Sequence, residues 1–408
     1  MFPKEAGVVV VGGGVLGTSA ALHLAKSGVN NIVLLDRGPL ASGTTPFAAG
    51  QVGYLSNTRE AGPFQLYCIT FFENFAQETG HTIDFRQNGS LRVVLDERHL
   101  TNLKRYQQAV HALGDKGDLI SPTEAKQLVP DLQLDEAAGI LHMPREGFIE
   151  SPRTVASGFA SGARDRGVAI HTHTHVTGID VVDGNVRAVQ TDRGTIGTPW
   201  VVVAAGAWTR QFTSRLGLDV KAIPVRHQAF VTAPLSAISP SQPIVRVVDP
   251  QVYIRPHAGG LLVGGYGFRP TSFDMNEFAS GFEIPSLAAD RIYYDRLKRS
   301  VEGFFPSLRE ATIVQERRGL PTVTPDAMLC VAESQEAKGL VVTAGCQVGG
   351  IARSPGVGRM VADIVTGQQT FAPPANLSLE RFGDAYDTEA ELRSRCEQVY
   401  GHLYWGIQ

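Results

Sequence analysis

Cysteine is scarce: the 408 residues contain four, Cys68, Cys330, Cys346 and Cys396. No two stand in a CxxC spacing, which excludes a disulfide framework and a zinc knuckle as organising elements and suits a reducing compartment. Runs of lysine and arginine are absent and the net charge is −3, so nothing points to a nucleic-acid or anionic-membrane partner. No apolar run is long enough to span a bilayer. Residues 1–14, MFPKEAGVVVVGGG, lack a basic region, a long apolar region and a cleavage site. A secretory signal is therefore not expected, and a cytoplasmic location is. Low-complexity tracts and internal repeats are missing too. What remains is an ordinary globular composition, 43% hydrophobic and 19% charged. The length suits two domains or one two-lobed unit.

Glycine is in mild excess, with 44 residues, and it clusters where chemistry is expected. In GVVVVGGGVLGTSAALHLAKSGVNNIVLLD (7–36), Val8–Val11 read as a buried strand, 15–27 as a helix and Ile32–Leu35 as a second buried strand, together a βαβ unit. Gly12-x-Gly14-x-x-Gly17 falls between strand and helix. The first glycine permits a tight turn, the second lets a pyrophosphate approach the backbone, and the third lets helix and strand pack closely. The helix start, with Val15 and Leu16, offers free N–H groups and partial positive charge to a phosphate. Asp36 ends the second strand, where an acid accepts hydrogen bonds from ribose hydroxyls, and Arg37 follows it. This predicts a dinucleotide site without separating NAD from FAD.

The next segment, ASGTTPFAAGQVG (41–53), narrows that choice. Ser42, Thr44 and Thr45 bring hydroxyls for phosphate or ribitol oxygens, and Ala48, Ala49 and Gly50 let backbone lie against a flat ring. Helices are predicted over 60–80, 101–113, 152–166, 280–303 and 356–366. Strands over 168–176, 178–183 and 186–191 form a meander. WVVVAAGAW (200–208) is a buried strand carrying Ala205, Gly206 and Trp208 to its end, and 216–268 is β-rich. GLVVTAG (339–345) is a further buried strand, leading through Gly349, Gly350 and Ile351 to a helix for which Ser354 and Pro355 suit the N-cap and N1 positions. Its positive end would stabilise negative charge on a reduced flavin. The expected fold class is α/β. A Rossmann-like FAD-binding domain is built from discontinuous segments (1–80, 150–215 and 325–370). An α+β substrate domain (81–149 and 216–324) carries a large mixed or antiparallel sheet, and 371–408 form a C-terminal extension.

These segments, with HQAFVT, YIRP, GGLLVGGY, TPD and GGIARSPGVGRMVADI, resemble the FAD-dependent D-amino-acid-oxidase superfamily over roughly residues 7–367, nearest its sarcosine and dimethylglycine dehydrogenase-like branch. The resemblance implies an FAD-dependent amine or amino-acid oxidoreductase. A hydride passes from the carbon next to an amine nitrogen to flavin N5, and the resulting imine hydrolyses. Val176 falls at the adenine. His227 in VRHQAF and Tyr253 in VYIRP fall in the substrate pocket and are the expected catalytic residues. A substrate carboxylate calls for the planar fork of an arginine, for which Arg255, Arg318 and Arg353 are candidates, with Arg59 more distant. Phe47 stands where members with covalent flavin carry a histidine, and Gly319 where another carries its attaching cysteine, so the FAD is expected to be non-covalent. Val263 and Ala352 stand where that member has an oxygen-activating and a carboxylate-binding lysine. The acceptor therefore stays open between oxygen and a partner protein, in which case the chain is the flavin subunit of a hetero-oligomeric dehydrogenase. A homo-oligomer is equally compatible. An NAD-linked dehydrogenase and a non-catalytic flavin protein complete the alternatives.

One further segment, AIHTHTHV (169–176), places His171, His173 and His175 at alternate positions. In a strand they share one face, with the outer two about 13 Å apart at roughly 3.3 Å per residue. A single metal with bonds of about 2 Å does not collect all three, so no metal site is expected.

Overall fold

The protein is seen in a computed structural model that describes residues 2–54, 62–134, 136–279, 281–371 and 377–405. Continuous apolar runs form its central sheet, as burial on both faces demands. Six strands lie in the order Cys330–Glu333, Leu340–Ala344, Val201–Val203, Val8–Val11, Ile32–Leu35 and Ala169–His171. All neighbours are parallel except the first pair, an antiparallel hairpin. The helices Val15–Lys26, Pro152–Arg164 and Gly350–Val365 pack together beside this sheet. An antiparallel meander, Val176–Val182, Asn185–Thr191 and Gly194–Gly197, shares an apolar core with it. The sheet is thus assembled from three separated stretches of chain.

The helix Gly350–Val365 begins earlier than predicted, and Pro355 lies inside it. Proline has no N–H to give to the carbonyl four residues back. Ser354 Oγ donates to that Ile351 carbonyl instead, at 2.8 Å, so the turn survives. The same helix crosses Val15–Lys26 closely. Ser19 Oγ donates to the Ser354 carbonyl at 2.7 Å, and a Cβ at Gly358 would collide with Ser19 and His23.

A second, eight-stranded sheet runs Ile313–Gly319, His227–Thr232, Gly260–Gly265, Val252–His257, Ile244–Val247, Ser90–Val94, Gly139–Met143 and Asp118–Leu119. It is mixed, because Ile244–Val247 runs parallel to Ser90–Val94 while the other neighbours are antiparallel. Strand alternation gives it two unlike faces. Phe230, Ile254, Leu261 and Val263 point into an apolar core shared with the helix Arg291–Val301. Ala229, Val231, Tyr253 and Leu262 point the other way, where the helix Glu389–Tyr400 covers them with Leu392, Cys396, Val399 and Tyr400. Leu392 and Val399 are almost wholly buried, each stabilising the docked helix by about 1.5–3 kcal/mol. Residues 371–408 thus include an integral part of the packed structure.

Other predicted elements differ as well. The strand expected over 168–176 stops at His171, and His173 adopts a left-handed φ of 53°. The helix expected over 280–303 spans Arg291–Val301, capped by the Asp290 side chain on the Tyr293 N–H, while Pro285 sits in an upstream 3-10 turn. The helix expected over 60–80 is Gly62–Glu73 followed by Phe75–Thr79, broken at Asn74. Among the described residues no helix is long and apolar enough to cross a membrane.

Candidate active site

The glycine-rich turn performs three separate tasks. Gly12 has a φ of 113°, and a side chain there would strike the Ala204 carbonyl. A Cβ at Gly17 would strike the Gly12 carbonyl, so this residue lets the helix sit against the strand. Gly14 is unlike both: its nearest neighbour would be Thr45 Oγ1 at 3.6 Å, and it borders a cavity of about 780 Å³. Small-molecule sites typically occupy about 300–1,000 Å³. A cradle that one Cβ would begin to fill, at a helix N-terminus, suits a pyrophosphate.

Most of the predicted cofactor residues line that cavity: Gly12, Gly14, Val15, Leu16, Asp36, Arg37, Ser42, Thr44, Thr45, Ala48, Val176, Ala205, Gly206, Trp208, Gly350 and Ile351. Gly17, Ala49, Gly50 and Gly349 do not. Gly17 supports the turn, and Gly349 caps the helix that presents Gly350 and Ile351. Gly50 turns the chain with a φ of 73°, and Ala49 faces the large sheet. Asp36 accepts from the N–H groups of Gly13 at 2.6 Å and Gly38 at 2.7 Å. Burial raises its pKa in spite of both bonds. Thr45 Oγ1 accepts from the Val15 N–H at 3.1 Å, capping the first helix, and Thr44 Oγ1 accepts from Leu320 at 3.0 Å. Arg37 lies 4.1 Å over the Trp208 ring and donates to the Phe282 carbonyl at 3.2 Å. The wall containing Met275, Phe278, Phe282 and Ile284 was not foreseen, nor were Phe212 and Arg215. Their one sequence signal is an aromatic-rich stretch with no motif.

His227 and Tyr253 do not line this cavity. They meet on the large sheet, in a cluster that packs against Ala49 and Val348, the latter a cavity wall. Nε2 of His227 is 2.8 Å from the Tyr253 hydroxyl, and Nδ1 is 2.7 Å from the Tyr400 hydroxyl. The two residues sit on strands separated by Gly260–Gly265. The Tyr253 side chain reaches across because Gly264 has no Cβ to obstruct it. Tyr266 stacks on the imidazole at 5.3 Å, and Tyr404 closes on Tyr266 at 5.0 Å. Burial pulls the His227 pKa down to about 4 and raises that of Tyr253. At neutral pH both are uncharged.

The three candidate arginines separate. Arg255 is fully buried on the Tyr253 side of its strand, and among the described residues its Nη2 has no hydrogen-bond partner. It donates to the Ala49 carbonyl at 2.7 Å, the Pro256 carbonyl at 2.7 Å and Glu150 at 3.2 Å. Beyond Glu150 the chain of contacts continues: Glu150 stands 2.6 Å from Nδ1 of His257, whose Nε2 accepts from Arg317 at 2.8 Å. Arg318 pairs with Gln228 and, by alternation, faces away from the site toward Tyr294. Arg353 stays near as well, donating to the Cys346 carbonyl at 3.2 Å. Arg59 lies outside the described residues. Two arginines were overlooked. Arg246 and Arg92 are cross-strand partners on the Tyr253 face. Arg92 lies 4.2 Å over the Tyr106 ring. Arg92, Arg246 and Arg353 all act electrostatically on Tyr106, with Glu146 as the carboxylate among them. Arg246 pairs with Glu146 and donates to Gln51 and Ser90, and among the described residues its Nη2, the buried Tyr106 hydroxyl and Arg92 Nε have no hydrogen-bond partner.

Val263 does not stand at the site. It points into the opposite apolar core, and its neighbours Leu262 and Gly264 occupy the site face. Ala352 is buried in the helix that starts beside the cavity. The histidines of AIHTHTHV are spread by the turn at His173, and the described residues contain no metal-binding group of three. His175 and Val176 border the cavity instead.

Comparison with known proteins accords with this geometry. Residues 7–364 match the DAO family, described as FAD dependent oxidoreductase. The regulatory subunit of mouse mitochondrial pyruvate dehydrogenase phosphatase is 29% identical over 406 residues, 99% of this chain and 46% of that protein. Dimethylglycine dehydrogenase from rat mitochondria is 29% identical over 412 residues, 98% of this chain and 47% of that protein. The chain thus spans about half the length of these curated relatives. The solved glycine oxidase of Geobacillus kaustophilus superposes with a TM-score of 0.80 at 25% identity, covering 93% of this chain and 99% of that one. With the glycine turn and the half-buried Asp36 bordering a cavity of fitting size, the match over residues 7–364 shows that the chain belongs to the DAO family of FAD dependent oxidoreductases.

Proposed function

We propose that this chain oxidises the C–N bond of a secondary amine or N-substituted amino acid, using non-covalent FAD held in the cavity between Gly14 and Gly350. The observation that carries this reading is the uncharged His227–Tyr253 pair, packed against Ala49 and Val348 beside the cavity. The chemistry FAD supplies when bound is acceptance of a hydride from the carbon next to the amine nitrogen, leaving an imine that water hydrolyses. Gly12, Gly14 and the helix start hold the pyrophosphate, Asp36 the ribose and Val176 the adenine. An amine must shed its proton before it gives up a hydride. A neutral imidazole walled by tyrosines, with both ring nitrogens bonded to tyrosine hydroxyls, disfavours the ammonium form nearby. The unpartnered edges of Arg92, Arg246 and Tyr106, with Arg353, suit a carboxylate on the same substrate. Dimethylglycine dehydrogenase among the relatives supports an N-alkyl amino acid.

Non-covalent attachment is supported by Phe47, which joins an aromatic group with Trp208 and Phe282, and by Gly319, whose Cβ would meet Thr44 at 2.8 Å. Neither Leu262 nor Gly264 offers an amino group to oxygen, which favours transfer of electrons to a partner protein or dye as the second reading. The test is an anaerobic screen of N-methyl amines and amino acids that follows flavin bleaching, repeated with oxygen and with a dye. Bleaching by an N-alkyl amino acid supports the reading. Protein that holds flavin but is bleached by no amine overturns it. Acid precipitation should release all the flavin into solution.

A further inference from the structure

We propose that residues 275–279 and 281–284 form a clasp over the cavity, fastened by Arg37 and Gln211, and that its opening sets the rates at which FAD enters and leaves. The inference rests on reading the cofactor as non-covalent.

The two sides of the cavity are held by unlike means. On one side Val11, Leu35, Thr343 and Ala344 belong to strands of the parallel sheet, and ladder hydrogen bonds tie those strands to their neighbours. On the other side Met275, Phe278, Phe282 and Ile284 come from the connection between the strand Gly260–Gly265 and the helix Arg291–Val301. No ladder supports them. The connection carries 3-10 turns at Met275–Glu277 and Ile284–Ser286. Its other main-chain bonds are local, as from the Phe282 N–H to the Ala279 carbonyl at 2.9 Å.

Among the described residues, its main-chain groups bond to another element in two places, each time to a side chain. Arg37 donates to the Phe282 carbonyl at 3.2 Å, and Gln211, on the helix Thr209–Ser214, donates to the Met275 carbonyl at 3.1 Å. Both donors also line the cavity. The Arg37 guanidinium lies 4.1 Å over the Trp208 ring, which holds its fork in place. The remaining contact is apolar: the Phe278 and Phe282 rings stand 4.1 Å apart and share a cluster with Trp208 and Phe47. A segment with few hydrogen bonds to its surroundings opens at lower free energy than a laddered sheet. The clasp is therefore the side that yields when a ligand as large as FAD passes.

A fastener opposes entry and exit alike, so removing one speeds both. Removing a direct contact with the cofactor speeds release alone, and removing a positive charge slows the entry of an anionic cofactor. The test is stopped-flow uptake of FAD by the apoprotein, with release followed by displacement with an excess of a flavin analogue of different absorption. Arg37→Gln and Gln211→Ala should each speed release about threefold to tenfold, the loss of one hydrogen bond, and the double variant more than either. Gln211→Ala changes no charge and should also speed uptake. Faster release without faster uptake in Gln211→Ala, or unchanged rates in both single variants, overturns the clasp. Hydrogen exchange of the flavin-loaded chain is a second readout. Amides of the clasp should exchange faster in Arg37→Gln than in the wild type, with those of Val8–Val11 unaltered, and unaltered exchange in the clasp overturns the proposal. If the analogue displaces no flavin from the wild type, the non-covalent reading fails, and hydrogen exchange alone decides whether the clasp exists.

Discussion

The two sheets build their sites by opposite means. At the parallel sheet, backbone does the work: Gly12, Gly14 and Gly17 shape one turn within six residues, and the side chains around it are mostly small. At the large mixed sheet, side chains do it. His227, Tyr253, Tyr400, Arg92 and Arg246 arrive from separate elements and meet only because strand alternation and register bring them to one face. A backbone site tolerates no added atom in the turn, whereas a side-chain site tolerates substitutions that keep shape and fails by loss of particular bonds.

That contrast can be broken at both ends. The largest effect is expected from Gly17→Ala, which should yield protein without flavin and with impaired folding, since the added methyl strikes the Gly12 carbonyl. Gly14→Ala sharpens the point. With 3.6 Å to spare it should fold normally, yet bind FAD about 10–100-fold more weakly, as read by flavin titration of the apoprotein. Next, His227→Gln should retain flavin but slow anaerobic bleaching by about 10²–10⁴. Gly264→Ala follows. The new methyl displaces the Tyr253 hydroxyl, costing about 1–3 kcal/mol in urea unfolding together with a slower bleaching rate. Tyr106→Phe and Arg92→Gln should raise the KM for a carboxylate-bearing amine about tenfold and leave an uncharged amine unaffected. Equal losses for both substrates would remove the carboxylate assignment.

A separate effect is one of pH. Burial lowers the pKa of His227 to about 4 and of His23 to about 3. Between the ordinary value near 6.5 and those lowered values the unfolded chain binds more protons than the folded one. Stability is therefore fully present above about pH 6.5 and declines as pH falls toward 4, by up to about 1.4 kcal/mol per pH unit for each histidine. Thermal unfolding from pH 7 to pH 4 checks this. His227→Gln should flatten the slope without abolishing it, because His23 remains.

The same contrast explains what was legible in the sequence. The glycine turn, Asp36 and the small-residue strip at 48–50 could be read because their signal is local, with fixed spacings inside some forty residues. The three blocks of apolar strand showed the parallel sheet for the same reason. Arg92, Arg246 and Tyr106 carried no local signal. Their nearness depends on a parallel pairing between residues about 150 apart in the chain and on a helix laid over it. Arg318 was a candidate by residue type and Val263 by its correspondence with a family position, but neither signal says which face of a strand a side chain takes, and one position along a strand turns it to the other face. The outline of residues 280–303 failed because a 3-10 turn at Ile284–Ser286 and a cap at Asp290 delay the helix. Tyr400 lay in a segment without any motif.

The run from Arg317 through His257, Glu150 and Arg255 to the Ala49 carbonyl has a mechanical meaning. It begins on the edge strand of the large sheet and ends on the strip of backbone beside the cavity. Contacts with His257 and Arg255 hold Glu150 ionised down to about pH 2 in spite of burial, so the link is intact at neutral pH. A flat ring resting on Ala48–Gly50 would therefore rest on a floor pinned to the opposite sheet. The strip that carries Ala49 is thus fastened to the large sheet by side chains alone, four of them in series.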